Sequence, residues 1–419
     1  MCILIKNIYL KGAIVDIYIR ENKIERIEKG IHIDADRVID GTGKAAIPSF
    51  VNAHTHNAMT LFRGFAEDMW LEEWLQEKIW PYEAKLVEED VYWGAKLGCL
   101  EMIKSGTTLF NDMYWFFHGT ARAVEEMGLR AVLSAVVLDN FEEKKAAEVK
   151  EETQRLFEES KHYATSRIRF AMGPHAIYTV SGDTLKWAKD FADRHGLLYH
   201  IHLSETETEV RNAIQHFGYR PVEYLEQLGI LDENVVIAHG LWLSDHDIDL
   251  LGRRKVKVVH NPNSNLKLAS GYKFPYYELK EAGVCVGLGT DGCSSSNNLD
   301  MLEAMKVASL LQKGWRCDPS ALPVDEVMQL STENGGRIFG LKLGKVEEGY
   351  LADLNLINLS DPALVPLHNL NANLVYSAGG HCIDTVICDG KILMENRHVE
   401  GEEEIINMAA KTAKNWINR

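Results

Sequence analysis

The sequence predicts an α/β protein: a (β/α)8 barrel with a small β-sandwich domain built from both termini. Between Ile47 and Gly344, eight strand-like runs alternate with helical stretches. That count, over roughly 300 residues, matches what a closed barrel of βα units takes. Period-2 alternation marks the two ends of the chain instead. Polar residues close several of the middle runs, and barrel enzymes build their sites at the C-terminal ends of strands.

Among the 419 residues, 46% are apolar and 25% charged, as in ordinary globular proteins and unlike disordered or fibrous ones. The 45 Lys+Arg against 61 Asp+Glu leave a net charge of −16. An acidic chain is a poor general partner for a nucleic-acid polymer or an anionic membrane. The longest apolar runs fall short of the ~18 residues a transmembrane helix needs. The opening MCILIKNIYLKGAIVDIYI has no basic leader and no small-residue cleavage site. It reads as a strand hairpin rather than a signal peptide. Cys2, Cys99, Cys285, Cys293, Cys317, Cys382 and Cys388 are odd in number and form no C-x-x-C pair. A disulfide framework or a cysteine zinc site is a poor reading, and a reducing, cytoplasmic setting is expected.

Taken in order, ILIKNIYLKG, IVDIYIREN, KIERIEKG and RVIDGTGKAAIP alternate apolar with polar and break at glycines, as short antiparallel strands do. The barrel strands are read at AAIPSFVNA, TTLFND, AVLSAVVL, IRFAMG, LLYHIHL, VVIAHG, VKVVHN and VCVGLGTD. Stretches between them, such as DVYWGAKLGCLEMIKSG and DTLKWAKDFADRHG, end at glycine, as helix C-termini do. An open doubly wound sheet is the competing fold, but its Gly-rich first turn, GxGxxG, is absent. Strand texture returns in GYLADLNLINL and IDTVICDGKILMENRHV, with Asp389-Gly390 as a hairpin turn. The boundaries drawn are residues 1–48 plus 345–405 for the composite β domain and 49–344 for the barrel. Residues 406–419, within EGEEEIINMAAKTAKNWINR, read as a final solvated helix.

His54-Thr55-His56 closes the first barrel strand. Alternate strand residues point to one side, so both imidazoles can reach one metal. The fifth strand offers His200-Ile201-His202, the sixth ends at His239, and the eighth runs into Asp291 of GLGTDG. Imidazoles with a carboxylate form a borderline-to-hard donor set suited to Zn2+, with Fe2+ as the alternative. A lone strand histidine is more often a hydrogen-bonded core residue, but four such elements at the strand ends of one barrel favour ligands. His200 reads either as a second ligand or as support behind one. Glu205, three residues past His202, can reach a metal-activated water without binding the metal, as a general acid/base must. Glu207 and Glu209 read instead as the solvated first turn of a helix capped by Ser204. His239 is placed to hydrogen-bond the hydroxide and a developing oxyanion. The fourth strand reaches His175 through IRFAMGPH and offers no lysine to bridge two metals. One metal per subunit and hydrolysis by an activated water are therefore expected.

These residues lie in a set of longer motifs: NAHTHNAMTLFRGFAEDMWLEEWLQEKIWPYE, GPHAIYT, HLSETETEV, HNPNSNLKLASG, GLGTDGCSSSNNLDM and GYLADLNLINL. Through them, over essentially its whole length, the chain resembles the amidohydrolase superfamily. The branch is that of the 5′-methylthioadenosine/S-adenosylhomocysteine deaminases, related to the triazine chlorohydrolases. The resemblance implies a mononuclear zinc barrel with a composite β domain and a purine-type aminohydrolase activity. It makes His54, His56, His202 and Asp291 the metal ligands. It makes Glu205 the shuttle of a proton from water to the ring nitrogen, and His239 the residue that orients the hydroxide. Asp291 would take the remaining proton and pass it to the leaving ammonia. Glu83 would bind the ribose hydroxyls, His175 would contact the purine, and Trp74 would wall the base or sugar pocket.

One departure concerns the 5′ end of the substrate. Members that accept S-adenosylhomocysteine carry arginines at the end of strand three and in the following loop. Here Ala135 stands in the compared place and the loop EEKKAAEVKEE holds only lysines. A smaller or uncharged 5′ substituent is favoured, since a bidentate carboxylate clamp needs arginine. Cys293, just after Asp291, reads as a packing residue rather than a fifth ligand. An aminohydrolase of guanine, cytosine, a pterin or a triazine would use the same cluster, with Trp74, Glu83, Trp115 and His175 discriminating. A silent scaffold barrel is disfavoured by the full ligand and acid/base set. A small-molecule partner is expected, and a homo-oligomer fits a barrel of this kind without its symmetry being fixed.

Overall fold

The computed structural model describes residues 1–163 and 167–419. The chain opens with five strands: β1 (Cys2–Leu10), β2 (Ala13–Arg20), β3 (Lys23–Glu28), β4 (Arg37–Asp40) and β5 (Lys44–Pro48). Eight more follow: β6 (Phe50–Thr55), β7 (Thr107–Met113), β8 (Arg130–Val137), β9 (Ile168–Pro174), β10 (Tyr199–Leu203), β11 (Val235–His239), β12 (Lys257–His260) and β13 (Cys285–Leu288). The last three are β14 (Leu354–Asn358), β15 (Ile383–Cys388) and β16 (Lys391–Met394).

β6 to β13 pair in chain order, all parallel, with helices between them. The first and last strands are brought together by side chain and backbone: Thr290 N donates to Asn52 Oδ1 (3.0 Å) and Asp291 N to His54 O (3.0 Å). Gly289 allows this approach, because a Cβ there would lie 2.9 Å from His54 N. In β10 the period of two sorts the side chains. Tyr199, Ile201 and Leu203 join the outer apolar core under the helices, which leaves His200 and His202 for the other side. Val51, Leu109, Val132, Ala171, Val236 and Val259 fill the barrel's lower interior, with Ile338 and Phe339 closing it.

The terminal strands form one eight-stranded sheet in the order β16-β15-β14-β5-β1-β2-β3, with β4 also on β1. The sheet curls until its β3 edge meets the segment leading into β14: Lys23 bridges Leu351, and Ile24 N donates to Tyr350 O (3.0 Å). Ile3, Ile5, Ile17, Ile19, Leu354, Leu356 and Ile387 fill the interior so enclosed. The run AAIPSFVNA turns out to hold two strands in two sheets. Its first half is β5, in the terminal sheet; β6 begins at Phe50. Pro48 has no N–H to extend a ladder, and Ser49 N turns instead to Asp353 O (3.3 Å). Asp389-Gly390 makes the expected hairpin turn, with φ of 52° and 70°. A two-residue turn of that hand suits the twist of its strands.

A buried ionic network joins the N-terminal end of the barrel to the terminal sheet. Arg130, 1% exposed at the start of β8, donates from Nε to Asp353 Oδ2 (3.0 Å) and from Nη2 to Asp353 Oδ1 (3.1 Å). Its Nη2 also bonds Asp389 of the turn.

The final helix, Glu402–Ile417, is not solvated all round as the sequence suggested. Ile405, Ala409, Thr412 and Trp416 form a buried stripe at helical spacing. The Trp416 ring lies 4.3 Å from that of Phe62, and its Nε1 donates to Tyr82 O (2.9 Å). Arg419 bonds both oxygens of Asp90 (2.5 and 2.9 Å). Among the described residues, no helix is long and apolar enough to cross a membrane.

Candidate active site

The barrel's C-terminal end gathers the residues singled out from the sequence. His54 and His56 come from β6, His202 from β10 and His239 from the last position of β11. Ring nitrogens of His54, His56 and His202 lie within 4.8 Å of one another, and His54, His239 and Asp291 form an overlapping group. Asp291 Oδ1 stands 3.3 Å from His54 Nε2 and 3.2 Å from His56 Nε2. Cys293 is fully buried and belongs to neither group.

The outer nitrogens fix the rings. His56 Nδ1 donates to Met113 O (2.5 Å) and His202 Nδ1 to His175 O (2.7 Å). With those hydrogens committed, each Nε2 presents a lone pair, as a metal-binding imidazole requires. His54 Nδ1 is engaged by His200 Nε2 (3.0 Å), and its Nε2 is fully buried with no hydrogen-bond partner. An orphaned buried nitrogen is costly unless something positive meets it. The donor set and this unsatisfied atom together fit a divalent metal ion. His200 lies behind His54, its other nitrogen 3.1 Å from Asn111 Nδ2, so it supports rather than ligates.

Charge follows the same arrangement. Burial opposes ionisation of Asp291, but His54 and His56 outweigh it and hold the carboxyl well below the usual range. Burial also opposes charge on His56, yet Asp291 and the Met113 carbonyl lift it to about 9. Burial pushes His54 down to about 4. A divalent ion at the cluster would supply the positive charge that Asp291 draws onto its neighbouring imidazoles. Asp291 is steadied by Ser264 Oγ (2.6 Å) and Gly292 N (2.9 Å). Asn265 Oδ1 accepts from His239 Nδ1 (2.8 Å). Both Ser264 and Asn265 come from the short helix Pro262–Lys267, which explains the polar run HNPNSNLK. His239 Nε2 thereby faces Glu205 Oε2 at 3.8 Å and Asp291 Oδ2 at 4.0 Å. Ser204, His239 and Asp291 all have left-handed backbones (φ 53°, 76° and 64°). Non-glycine residues hold that conformation only where surroundings enforce it, and such strain clusters at functional sites.

Glu205 is 6% exposed and accepts from Ser270 Oγ (3.2 Å). Burial pushes its carboxyl up, with His239 pulling the other way. Glu209 differs from the expectation of a solvated turn, while Glu207 is exposed. Glu209 is buried and accepts from the backbone N–H of Ser204 (2.9 Å) and of Glu205 itself (2.7 Å). The helix cap is Thr206 rather than Ser204, Thr206 Oγ1 accepting from Glu209 N (3.0 Å). Sequence spacing signals an N3 glutamate that can reach backward, but not which N–H groups it meets. Glu209→Gln replaces one of those acceptors with a donor. Hydrogen bonds to charged groups contribute roughly 1.5–3 kcal/mol, so kcat is expected to fall roughly tenfold to a hundredfold. Metal content and KM should hold; an unchanged kcat would remove Glu209 from the support of Glu205.

Trp74, Glu83 and His175 line the same cavity as His56, Glu205 and Asp291. Trp115 Nε1 donates to Glu83 Oε2 (3.3 Å), and burial pushes the Glu83 carboxyl up against the pull of Tyr114 and Trp115. His175 is pushed down to about 3 by burial and the neighbouring imidazoles. Its Nδ1 meets Thr179 Oγ1 (2.9 Å), whose own hydroxyl turns to Ala176 O. A neutral His175 with Nδ1–H so used presents a bare Nε2. Trp74 lies in the π-helical turn Trp74–Ile79, buried, with Nε1 unpartnered. Ala135 is not on this wall; Val136 and Leu138 are the β8-side residues that reach it.

A family model described as "Amidohydrolase family" matches residues 45–393. A 5′-deoxyadenosine deaminase of Methanospirillum hungatei is 49% identical, covering 92% of this chain and 86% of that protein. A 5-methylthioadenosine/S-adenosylhomocysteine deaminase of Thermococcus sibiricus is 46% identical over 94% of each. Among solved structures, a zinc-bound adenosine deaminase from Xanthomonas campestris superposes with a TM-score of 0.93. It is 31% identical and covers 100% of this chain and 99% of its own. A zinc-complexed atrazine chlorohydrolase of Arthrobacter aurescens shares the fold, with a TM-score of 0.90 at 21% identity, over 98% of this chain and 100% of its own.

Proposed function

The chain belongs to the amidohydrolase family, and on that premise we propose that it hydrolyses the 6-amino group of adenosine-type nucleosides, giving the inosine analogue and ammonia. The observation that carries the proposal is a single cavity lined both by the metal-type donor cluster and by a half-buried Glu83–Trp115 pair. Relatives named 5′-deoxyadenosine deaminase and 5-methylthioadenosine/S-adenosylhomocysteine deaminase support the adenosine-type substrate class.

We assign His54, His56, His202 and Asp291 as ligands of one Zn2+, the metal named with the adenosine deaminase neighbour; Fe2+ suits the same donors. Such an ion supplies Lewis acidity that brings the pKa of a water towards ~7. Glu205 carries a proton from the attacking water to the ring nitrogen beside C6, which makes C6 electrophilic. His239 stabilises the oxygen as charge develops on it. Asp291 accepts the second water proton and delivers it to the departing amine. Water oxygen joins C6, the C6–N bond breaks, and both protons are accounted for. Glu83 accepts from the ribose hydroxyls, His175 Nε2 faces the purine edge, and Trp74 walls the base or sugar pocket. All seven cysteines are free, which suits the cytoplasmic setting read from their spacing.

The 5′ substituent should be neutral. A cavity of about 770 Å3 adjoins Glu83 and Trp115 and is bordered by Phe116, Leu138, Glu152 and Arg155. Arg155 lies three residues beyond the lysine loop. Its guanidinium is taken by Glu152 (2.6 Å) and Glu159 (3.2 Å), and His118 by Glu159 (2.8 Å). An incoming α-carboxylate would meet acids and occupied cations. Ammonia release should therefore favour 5′-deoxyadenosine and 5′-methylthioadenosine over S-adenosylhomocysteine by at least about tenfold in kcat/KM, the effect of 1.4 kcal/mol. Equal values would refute the neutral 5′ site. Turnover only of guanine, cytosine, a pterin or a triazine would keep the cluster chemistry and overturn the nucleoside reading.

A further inference from the structure

We propose that Asp361, His381 and Cys382 form a second metal site, for a thiophilic divalent ion such as Zn2+ or Co2+, outside the catalytic cavity. Each offers one donor, and the three donors lie within 4.8 Å of one another. Asp361 follows β14, while His381 and Cys382 sit in the turn Gly380–Cys382 just before β15. A bound ion would clip the two ends of the β14–β15 connection together.

The donors are already arranged. Asp361 Oδ1 accepts from Ala363 N (2.9 Å), which orients the carboxylate and leaves Oδ2 facing His381 Nε2 at 3.7 Å. Tetrahedral Zn2+, with bonds of about 2.0–2.3 Å, sets its donors roughly 3.3–3.7 Å apart. The turn is held from both sides. Gly380 N donates to Asp300 Oδ2 (3.1 Å), and Arg397 Nη1 donates to Gly380 O (2.7 Å) and Ile383 O (2.8 Å). The His381 side chain is 64% exposed, which gives an ion a path in, while Cys382 is fully buried behind it. Thiolate, imidazole and carboxylate together select Zn2+ or Co2+ over Mg2+ or Ca2+, which prefer all-oxygen shells. A water completes the fourth position.

The test does not depend on the deaminase reading. Metal-stripped full-length protein is titrated with Co2+ and followed by bound-metal analysis and near-ultraviolet absorption. The catalytic cluster has only nitrogen and oxygen donors, and the other six cysteines are free, so a thiolate-to-cobalt charge-transfer band reports this site where it disappears with Cys382→Ser or His381→Asn. The expected result is two equivalents bound, with the band growing in with one of them. Cys382→Ser and His381→Asn should each lose that equivalent and the band, and keep the other equivalent and the activity. Should Cys382→Ser fail to fold, His381→Asn carries the test, its imidazole being exposed. Any number of equivalents bound by the unaltered protein without the band, or a band that survives His381→Asn, overturns the proposal; a single equivalent that carries the band supports it and counts instead against metal binding by the catalytic cluster.

Discussion

Glu205→Gln is expected to bind its metal ion normally and to lose about 10²- to 10⁴-fold of kcat, the range a positioned acid/base contributes. The substitution keeps the volume and leaves an oxygen that can accept from Ser270, which now bonds Oε1. What it removes is the proposed capacity to take a proton from water and return it to the ring. Glu205 belongs to neither donor group, so metal content should stay at the unaltered value. Equilibrium dialysis with metal analysis, beside single-turnover ammonia release, separates the two. A variant that keeps both metal and turnover would move the proton transfer to another residue, with Asp291 next in line.

The second large effect concerns stability rather than chemistry. Arg130→Met should cost several kcal/mol, within the ~3–5 kcal/mol that breaking a buried ion pair costs. Its guanidinium satisfies Asp353, which is 1% exposed, and also reaches Asp389. Methionine fills much of the space and takes the guanidinium from both carboxylates, leaving the buried Asp353 with the Asp389 N–H (3.0 Å) while Asp389 keeps Asn22 Nδ2 (3.1 Å). The urea midpoint should drop, while kcat at temperatures where the protein is folded stays the same, because the network lies at the end of the barrel opposite the cavity. Adding Asp353→Asn should restore part of the loss, since the two changes share one interaction and cannot add. A midpoint unmoved by Arg130→Met would show that the terminal sheet is held by its apolar packing alone.

Much of the active-site arrangement could be read from local patterns. A period of two sends His200 and His202 to one side of β10, so the strand itself aims the donors. The ends of parallel strands in a barrel meet in space, so His54, His202, His239 and Asp291 converge although up to 237 residues separate them (291 − 54). Other features depend on partners far along the chain. AAIPSFVNA reads as one apolar run, and its division between two sheets is decided by β14, which arrives some three hundred residues later. Glu209 looks like any helix-surface glutamate until the left-handed turn at Ser204 carries two N–H groups over it. The stripe on the final helix is thin and flanked by charge, so only the ring cluster it meets reveals its burial. Arg155 carries no sequence signal of its own, because helical periodicity does not say which cavity a side chain borders.

The fastening of Trp416 and Arg419 has a consequence for synthesis. Every candidate catalytic metal donor has left the ribosome once Asp291 has. The segment bearing Trp74 and Glu83 is also made early, yet it is tied at Tyr82 and Asp90 by residues 416–419. A nascent chain can thus assemble its ion-binding cluster before its substrate wall is secured, and the order of translation puts metal capture ahead of nucleoside recognition.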